Sequence, residues 1–195
     1  MSLTEVLGVA AGAACVLLAI RQIVWTWPVG LTNNIFFFVL FWRAKLYADA
    51  SLQIVYMAIS LYGWWNWLYG GKQHSRLKVT RATRTEAAAL ALAAAAATAT
   101  IYFILRRFTD SNVPLGDATT TALSLTAQYM VSKKHLENWL VWIAADVIYI
   151  ALYLYKGLNL TAVLYAGFIA MSVAGWMQWR KSWRSTPEIG EATAG

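Results

Sequence analysis

Apolar positions in this chain come in blocks of helical rather than strand length, and short polar clusters separate them. Seven such blocks can be drawn: Leu3–Ile23, Pro28–Trp42, Asp49–Tyr69, Thr85–Arg107, Leu115–Ser132, Glu137–Tyr155 and Leu160–Trp179. Most approach the ~20 residues that a helix needs to cross a bilayer core. The second is short, with Pro28 placed for a first helical turn. Arg21 and Gln22 mark the first exit, and Arg43, Lys45 and Asp49 punctuate the bend before the third block. Gly70-Gly71 terminates that block, and a basic loop runs from Lys72 to Arg84. The pattern predicts an all-α membrane protein with seven transmembrane helices.

The third and seventh blocks end alike. Gly63-Trp64-Trp65-Asn66-Trp67 recurs as Gly175-Trp176-Met177-Gln178-Trp179, 112 positions later. The same offset carries Trp27 onto Trp139, Leu52 onto Leu164, Ser60 onto Ser172 and Asn34 onto Asp146. Glu5 falls on Asp117, and Arg21 on Lys133. Residues 1–70 therefore read as one three-helix repeat and 113–182 as its copy. Residues 71–112 hold the basic loop and an alanine-rich linker helix with no counterpart, and 183–195 form a polar tail. A three-helix unit enters on one side of the membrane and leaves on the other, so a copy in the same orientation needs one extra crossing. The expected architecture is 3+1+3, with parallel repeats about an axis along the membrane normal.

Composition supports a bilayer as solvent: 59% of the 195 residues are hydrophobic, 13% are charged, and mean hydropathy is +0.50. The net charge of +7 does not signal nucleic acid, because the bases sit in short loops with no long basic run. Eleven Lys and Arg fall on the C-terminal side of the expected membrane and five on the other. The positive-inside rule then predicts a cytoplasmic C-terminus and an external N-terminus in the inner membrane. Cys15 is the single cysteine, which leaves no intrachain disulfide and argues against a cysteine metal site. No cofactor is expected.

Candidate chemistry lies on helix faces. Gln53, Tyr56, Ser60, Trp64 and Trp67 follow steps of three and four, as do Tyr165, Phe168, Ser172, Trp176 and Trp179. Trp139, Trp142, Asp146, Tyr149 and Tyr153 share another face, as do Trp27, Gly30, Asn34, Phe37 and Phe41. Asp117, Thr121, Ser124 and Gln128 complete the set. For a lone Ser or Phe, helix packing explains the pattern better, and Trp27 and Trp139 could be interfacial belt residues. Asp146 is different, because an acid near mid-bilayer costs at least ~2.5–3.5 kcal/mol and marks function by default. Carboxylate, amides and aromatic walls together suit a flat cationic ring with a hydroxyl-bearing arm.

Several runs carry a family resemblance: Leu46-Tyr47-Ala48-Asp49 followed by Leu52-Gln53, Tyr62-Gly63-Trp64-Trp65-Asn66-Trp67, Glu137-Asn138-Trp139-Leu140-Val141-Trp142, and Tyr155-Lys156-Gly157-Leu158. Together they make the chain resemble the PnuC-type vitamin transporters over nearly its whole length. The resemblance implies a fold related to the SWEET sugar transporters. It also implies facilitated diffusion of a dephosphorylated vitamin, foremost nicotinamide riboside, drawn inward by a cytoplasmic kinase. The substrate would lie at mid-membrane between the repeats, against Trp64, Trp67, Trp139, Trp142, Trp176 and Trp179, with Gln53 and Gln128 as polar readers. With the face analysis, this gives the expected substrate site as Asn34, Gln53, Tyr56, Trp64, Trp67, Gln128, Trp139, Trp142, Asp146, Tyr149, Trp176 and Trp179. Asp146 stands where some nicotinamide riboside carriers have Asn, and a carboxylate suits pyridinium or thiazolium alike, so thiamine stays open. The expected partners are the vitamin, membrane lipid, the functionally linked kinase and, as an option, further copies of the chain.

Rival classes lack their chemistry. A retinal protein needs a Schiff-base lysine inside its last helix, and Leu160–Trp179 contains none. His74 and His135 fall in loops outside any H-E-x-x-H helix, which argues against a membrane-embedded hydrolase. An ion channel would show charged or carbonyl rings, so a carrier rather than an enzyme is expected.

Overall fold

A computed structural model describes residues 3–185 apart from Ala44 and Leu46; the side chains of residues 3–9, 47 and 48 lie outside that description. Leu46, the side chains of Glu5, Tyr47 and Ala48, all used above in the repeat and the resemblance, and tail residues 186–195 lie outside the described residues.

Among the described residues the chain forms seven α-helices: α1 (Leu3–Ile20), α2 (Thr26–Arg43), α3 (Tyr47–Tyr69), α4 (Arg84–Phe108), α5 (Pro114–Ser132), α6 (Asn138–Tyr155) and α7 (Asn159–Arg184). Local chemistry sets several boundaries. Pro114 opens α5 at a position where its missing N–H costs nothing. Thr83 and Glu86 form a reciprocal capping box at the start of α4: the Glu86 N–H donates to Thr83 Oγ1 at 3.2 Å, and the Thr83 N–H to Glu86 Oε2 at 2.9 Å. The first helix ends at Ile20 rather than Ile23, because Gln22 adopts a φ of 56° in a tight turn. The last runs on to Arg184, so Trp183 and Arg184, assigned above to the tail, belong to α7.

Six helices close a ring. α1 packs on α2, α2 on α3, α3 on α5, α5 on α6, α6 on α7, and α7 returns to α1. The fourth helix stands outside, packed on α5, with no buried residue along its 25. Its alanine-rich surface has a mean hydropathy of 2.0, as suits a helix that faces lipid. By length and composition alone α4, α6 and α7 are apolar enough to cross a membrane; α3 and α5 carry polar side chains that turn inward to the ring. This is the 3+1+3 arrangement, with α1–α3 and α5–α7 as the two triplets.

The triplets correspond hydrogen bond for hydrogen bond at their turns. In the α1–α2 turn the Gln22 N–H donates to Ala19 O at 2.9 Å and the Ile23 N–H to Leu18 O at 2.9 Å. In the α5–α6 turn the Lys134 N–H donates to Val131 O at 2.9 Å and the His135 N–H to Met130 O at 3.0 Å. Lys134 repeats the positive φ of Gln22, at 53°. The end of the ring that holds these two turns is called basal below.

Candidate functional site

The ring encloses a cavity of about 400 Å³. Its lining obeys the 112-residue offset almost throughout. Gly12 is matched by Ser124, Val16 by Gln128, Ala19 by Val131, Trp27 by Trp139, and Gly30 by Trp142. Farther from the base come Asn34 with Asp146, Phe37 with Tyr149, Gln53 with Tyr165, Tyr56 with Phe168, and Ser60 with Ser172. Matched positions arrive on opposite walls because each triplet turns the same helix faces toward the pseudo-twofold axis.

The matched residues differ chemically, and that difference gives the cavity its character. Ser124, Gln128, Trp142, Asp146 and Tyr149 of the second triplet answer Gly12, Val16, Gly30, Asn34 and Phe37 of the first. One wall is bulky, hydroxyl-rich and acidic, and the other leaves room. Asp146 is only 4% exposed and, among the described residues, is the only acid in the lining. No Lys, Arg or His of the described residues forms an ion pair with it. The rings of Tyr149 and Tyr165 lie 4.9 Å apart, and Phe168 meets Tyr165 edge-on at 5.6 Å, so the aromatic wall beside the acid is continuous. A flat cation placed here meets ring faces, the amides of Asn33, Asn34, Gln53 and Gln128, and one carboxylate.

Of the twelve residues expected at the site, eight line the cavity: Asn34, Gln53, Tyr56, Gln128, Trp139, Trp142, Asp146 and Tyr149. Trp64, Trp67, Trp176 and Trp179 do not. The cause is axial rise: at ~1.5 Å per residue, Trp67 sits about 10 Å below Ser60 on the same face of α3. A shared face therefore does not mean a shared level. Trp64 and Trp176 pack, half-buried, against the basal core, while Trp67 and Trp179 are sealed inside it at 1% and 0% exposure. Asp117 and Thr121 also leave the cavity; Asp117 accepts a hydrogen bond from Ser111 at 2.7 Å and lies 3.7 Å from Lys156. Trp27 and Trp139 are buried at 2% exposure, which rules out the belt alternative for both.

Trp27, Trp67, Trp139 and Trp179 build the cavity floor. Trp27 meets Trp67 edge-on at 5.3 Å, and Trp139 meets Trp179 edge-on at 5.4 Å, one contact being the repeat of the other. Trp67 and Trp179 touch across the axis at 6.0 Å. Each donates its indole N–H to the opposite triplet, Trp67 to Val131 O at 2.9 Å and Trp179 to Ala19 O at 3.0 Å. Glycine is needed beneath the upper pair: a Cβ on Gly175 would stand 2.6 Å from the Trp139 ring, and Gly63 is crowded in the same way by Trp27.

Beneath the floor, the loop after α3 passes over the α5–α6 turn. The Thr80 N–H donates to Lys134 O at 3.0 Å, and the Leu136 N–H to Thr80 O at 2.8 Å. Glu137 accepts from Arg81 Nε at 2.8 Å and from the Ala82 N–H at 3.0 Å. Burial works against the Glu137 charge, but these hydrogen bonds outweigh it and hold the carboxyl below its usual range.

The lining residues that escaped the sequence reading are chiefly on α1: Gly12, Cys15, Val16 and Ala19, together with Thr26, Asn33 and Val131. Polar patterning could not flag α1, since its inner face is small and apolar. The repeat offset could have, because Ser124 and Gln128 map back onto Gly12 and Val16.

The chain is similar to known proteins over most of its length. It is 24% identical over 209 residues to the nicotinamide riboside transporter PnuC of Escherichia coli (strain K12), a match covering 94% of this chain and 87% of the relative. It is 27% identical over 179 residues to the riboflavin/roseoflavin transporter RibM of Streptomyces davaonensis, covering 90% and 84%. The crystal structure of the vitamin B3 transporter PnuC shares its fold, with a TM-score of 0.68 at 22% identity, over 91% of this chain and 80% of that one. The family model described as nicotinamide mononucleotide transporter matches residues 2–181. A helical ring around an aromatic cavity and a match spanning nearly the full sequence lead to one conclusion: this multi-pass membrane protein belongs to the nicotinamide mononucleotide transporter family, the PnuC-type vitamin transporters.

Proposed function

We propose that the protein carries a dephosphorylated, cationic B-vitamin by facilitated diffusion, with nicotinamide riboside as the first candidate. The observation that supports this reading most is Asp146, a buried carboxylate with no cationic partner among the described residues, set in a cavity of about 400 Å³ lined by Trp139, Trp142 and Tyr149. A pyridinium ring satisfies the acid by charge and the rings by stacking and cation–π attraction. Gln53, Gln128 and Asn34 offer donors and acceptors for a carboxamide and ribose hydroxyls. Thiamine is the second reading, because its thiazolium is answered by the same carboxylate. A neutral isoalloxazine, the ring carried by one of the relatives by name, would leave that charge unanswered.

In this reading the basal end faces the cytoplasm and the N-terminus lies outside, following the bias of Lys and Arg. Uncoupled diffusion gains direction when a cytoplasmic kinase phosphorylates the arriving vitamin and removes it from the equilibrium. An oligomeric assembly is compatible with the exposed α4 surface. Calorimetry on the purified protein with nicotinamide riboside, thiamine and riboflavin, each titrated alone, tests the assignment. Binding of either cation and none of riboflavin supports it; riboflavin as the sole binder overturns it.

A further inference from the structure

We propose that the four-indole floor of Trp27, Trp67, Trp139 and Trp179 is the basal gate of the carrier, and that Lys134 is the positioning residue that keeps this gate ready to open. The closed floor combines strong ties with unanswered polar groups. The ties are the reciprocal indole hydrogen bonds, Trp67 to Val131 O and Trp179 to Ala19 O, which cross between triplets at equivalent positions. They lie where the two triplets must separate if the cavity is to empty at this end.

Three groups pull the other way. The indole N–H groups of Trp27 and Trp139 are buried with no acceptor among the described residues, a cost that neither bears once the floor parts and water enters. Directly below, Lys134 is 6% exposed, and its ammonium has no carboxylate within ion-pair distance among the described residues. It donates to Leu77 O at 2.9 Å and to Gln22 Oε1 at 3.4 Å, its own repeat equivalent, and lies 4.4 Å from the Trp67 ring. Gln22 continues the tie to Ser182 at 2.9 Å. Carbonyl and ring contacts compensate a buried ammonium only in part, so hydration of Lys134 on opening returns what burial withheld. Its lowered pKa, about 8, agrees: burial is the main cause, with Arg76 on the α3–α4 loop adding repulsion. Packing and two hydrogen bonds hold the gate shut, and two unpaired indole donors with one partly compensated ammonium keep it from locking.

The native Cys15 thiol lines the cavity above the floor and gives a readout that needs no substrate. In proteoliposomes of known orientation, a membrane-impermeant maleimide added on the basal side reports how often the gate opens. Trp179→Phe removes one tie and should speed Cys15 modification about fivefold, the scale of one buried hydrogen bond. Lys134→Met keeps length without charge and should slow it about tenfold, the scale of relieving an unanswered buried charge. Lys134→Arg should restore the wild-type rate. Gln22→Leu, which also cuts the link to Ser182, should speed modification and serves if either first variant fails to fold. Faster labelling in Lys134→Met, or unchanged rates in both Trp179→Phe and Lys134→Met, overturns the proposal. A residue of purely structural importance would shift the melting temperature without changing the ratio of labelling from the two faces. A second arm measures nicotinamide riboside: equilibrium binding unchanged in Lys134→Met, with slower efflux. Failure of that arm alone, with the labelling result intact, would count against the vitamin and not against the gate.

Discussion

Replacing Asp146 by Asn should separate charge recognition from shape recognition, because the substitution keeps size and hydrogen-bonding capacity while removing one negative charge. Asp146 is 4% exposed and lines the cavity together with Trp139, Trp142 and Tyr149. Two unit charges about 5 Å apart attract by ~3 kcal/mol at an effective dielectric constant near 20. Cavity water screens part of that, so a loss of about 1.5 kcal/mol is expected, close to tenfold in Kd. The assay is calorimetric titration of purified wild type and Asp146→Asn with nicotinamide riboside, then with its uncharged dihydro form. Both ligands have nearly the same outline, and only one carries the pyridinium charge. The variant should bind the cation about tenfold more weakly and the neutral analogue with unchanged affinity. Equal losses for both would show that Asp146 acts through shape or hydrogen bonding. No loss for either would remove it from the site.

Four further outcomes follow from the geometry. Trp142→Ala should weaken nicotinamide riboside binding by about 1 kcal/mol, roughly fivefold, the scale of one stacked cation. Trp64→Ala, on the same titration, should leave Kd unchanged, since Trp64 lies off the cavity. Gly175→Ala forces a methyl to within 2.6 Å of the Trp139 ring, and overpacking of this kind costs about 1–3 kcal/mol, visible as a lower melting temperature in detergent. Lys134 gives a pH signature with a definite sign. Burial pushes its pKa down to about 8 from the 10.5 of an ordinary lysine, so between these values the unfolded chain holds more protons. Stability should therefore rise from about pH 8 to 10.5 in wild type and lose that component in Lys134→Met, as read by thermal melting across the window.

Much of the architecture was legible in the residues. Seven blocks of apolar sequence gave the seven helices, and the recurrence of Gly63–Trp67 at Gly175–Trp179 gave the two triplets, because a repeat at fixed offset makes equivalent residues occupy equivalent places. Asp146 stood out for a reason that needs no coordinates: an acid in the middle of an apolar helix has few tolerable surroundings. Depth was not legible. Ser60, Trp64 and Trp67 share a face of α3, and periodicity treats them as one stripe, yet only Ser60 reaches the cavity. Likewise Gly12 and Val16 look like lipid-facing positions until α1 is set opposite Ser124 and Gln128.

Sequence alone thus determined which faces are polar, how often the chain turns and which positions are equivalent, since these are properties of spacing along a helix. Only the tertiary structure decided that Trp67 and Trp179 form a floor beneath the cavity rather than its wall, and that Lys134 lies against Trp67. Such facts depend on where helices of different triplets meet along their axes, and that level is set by packing between residues distant in the chain.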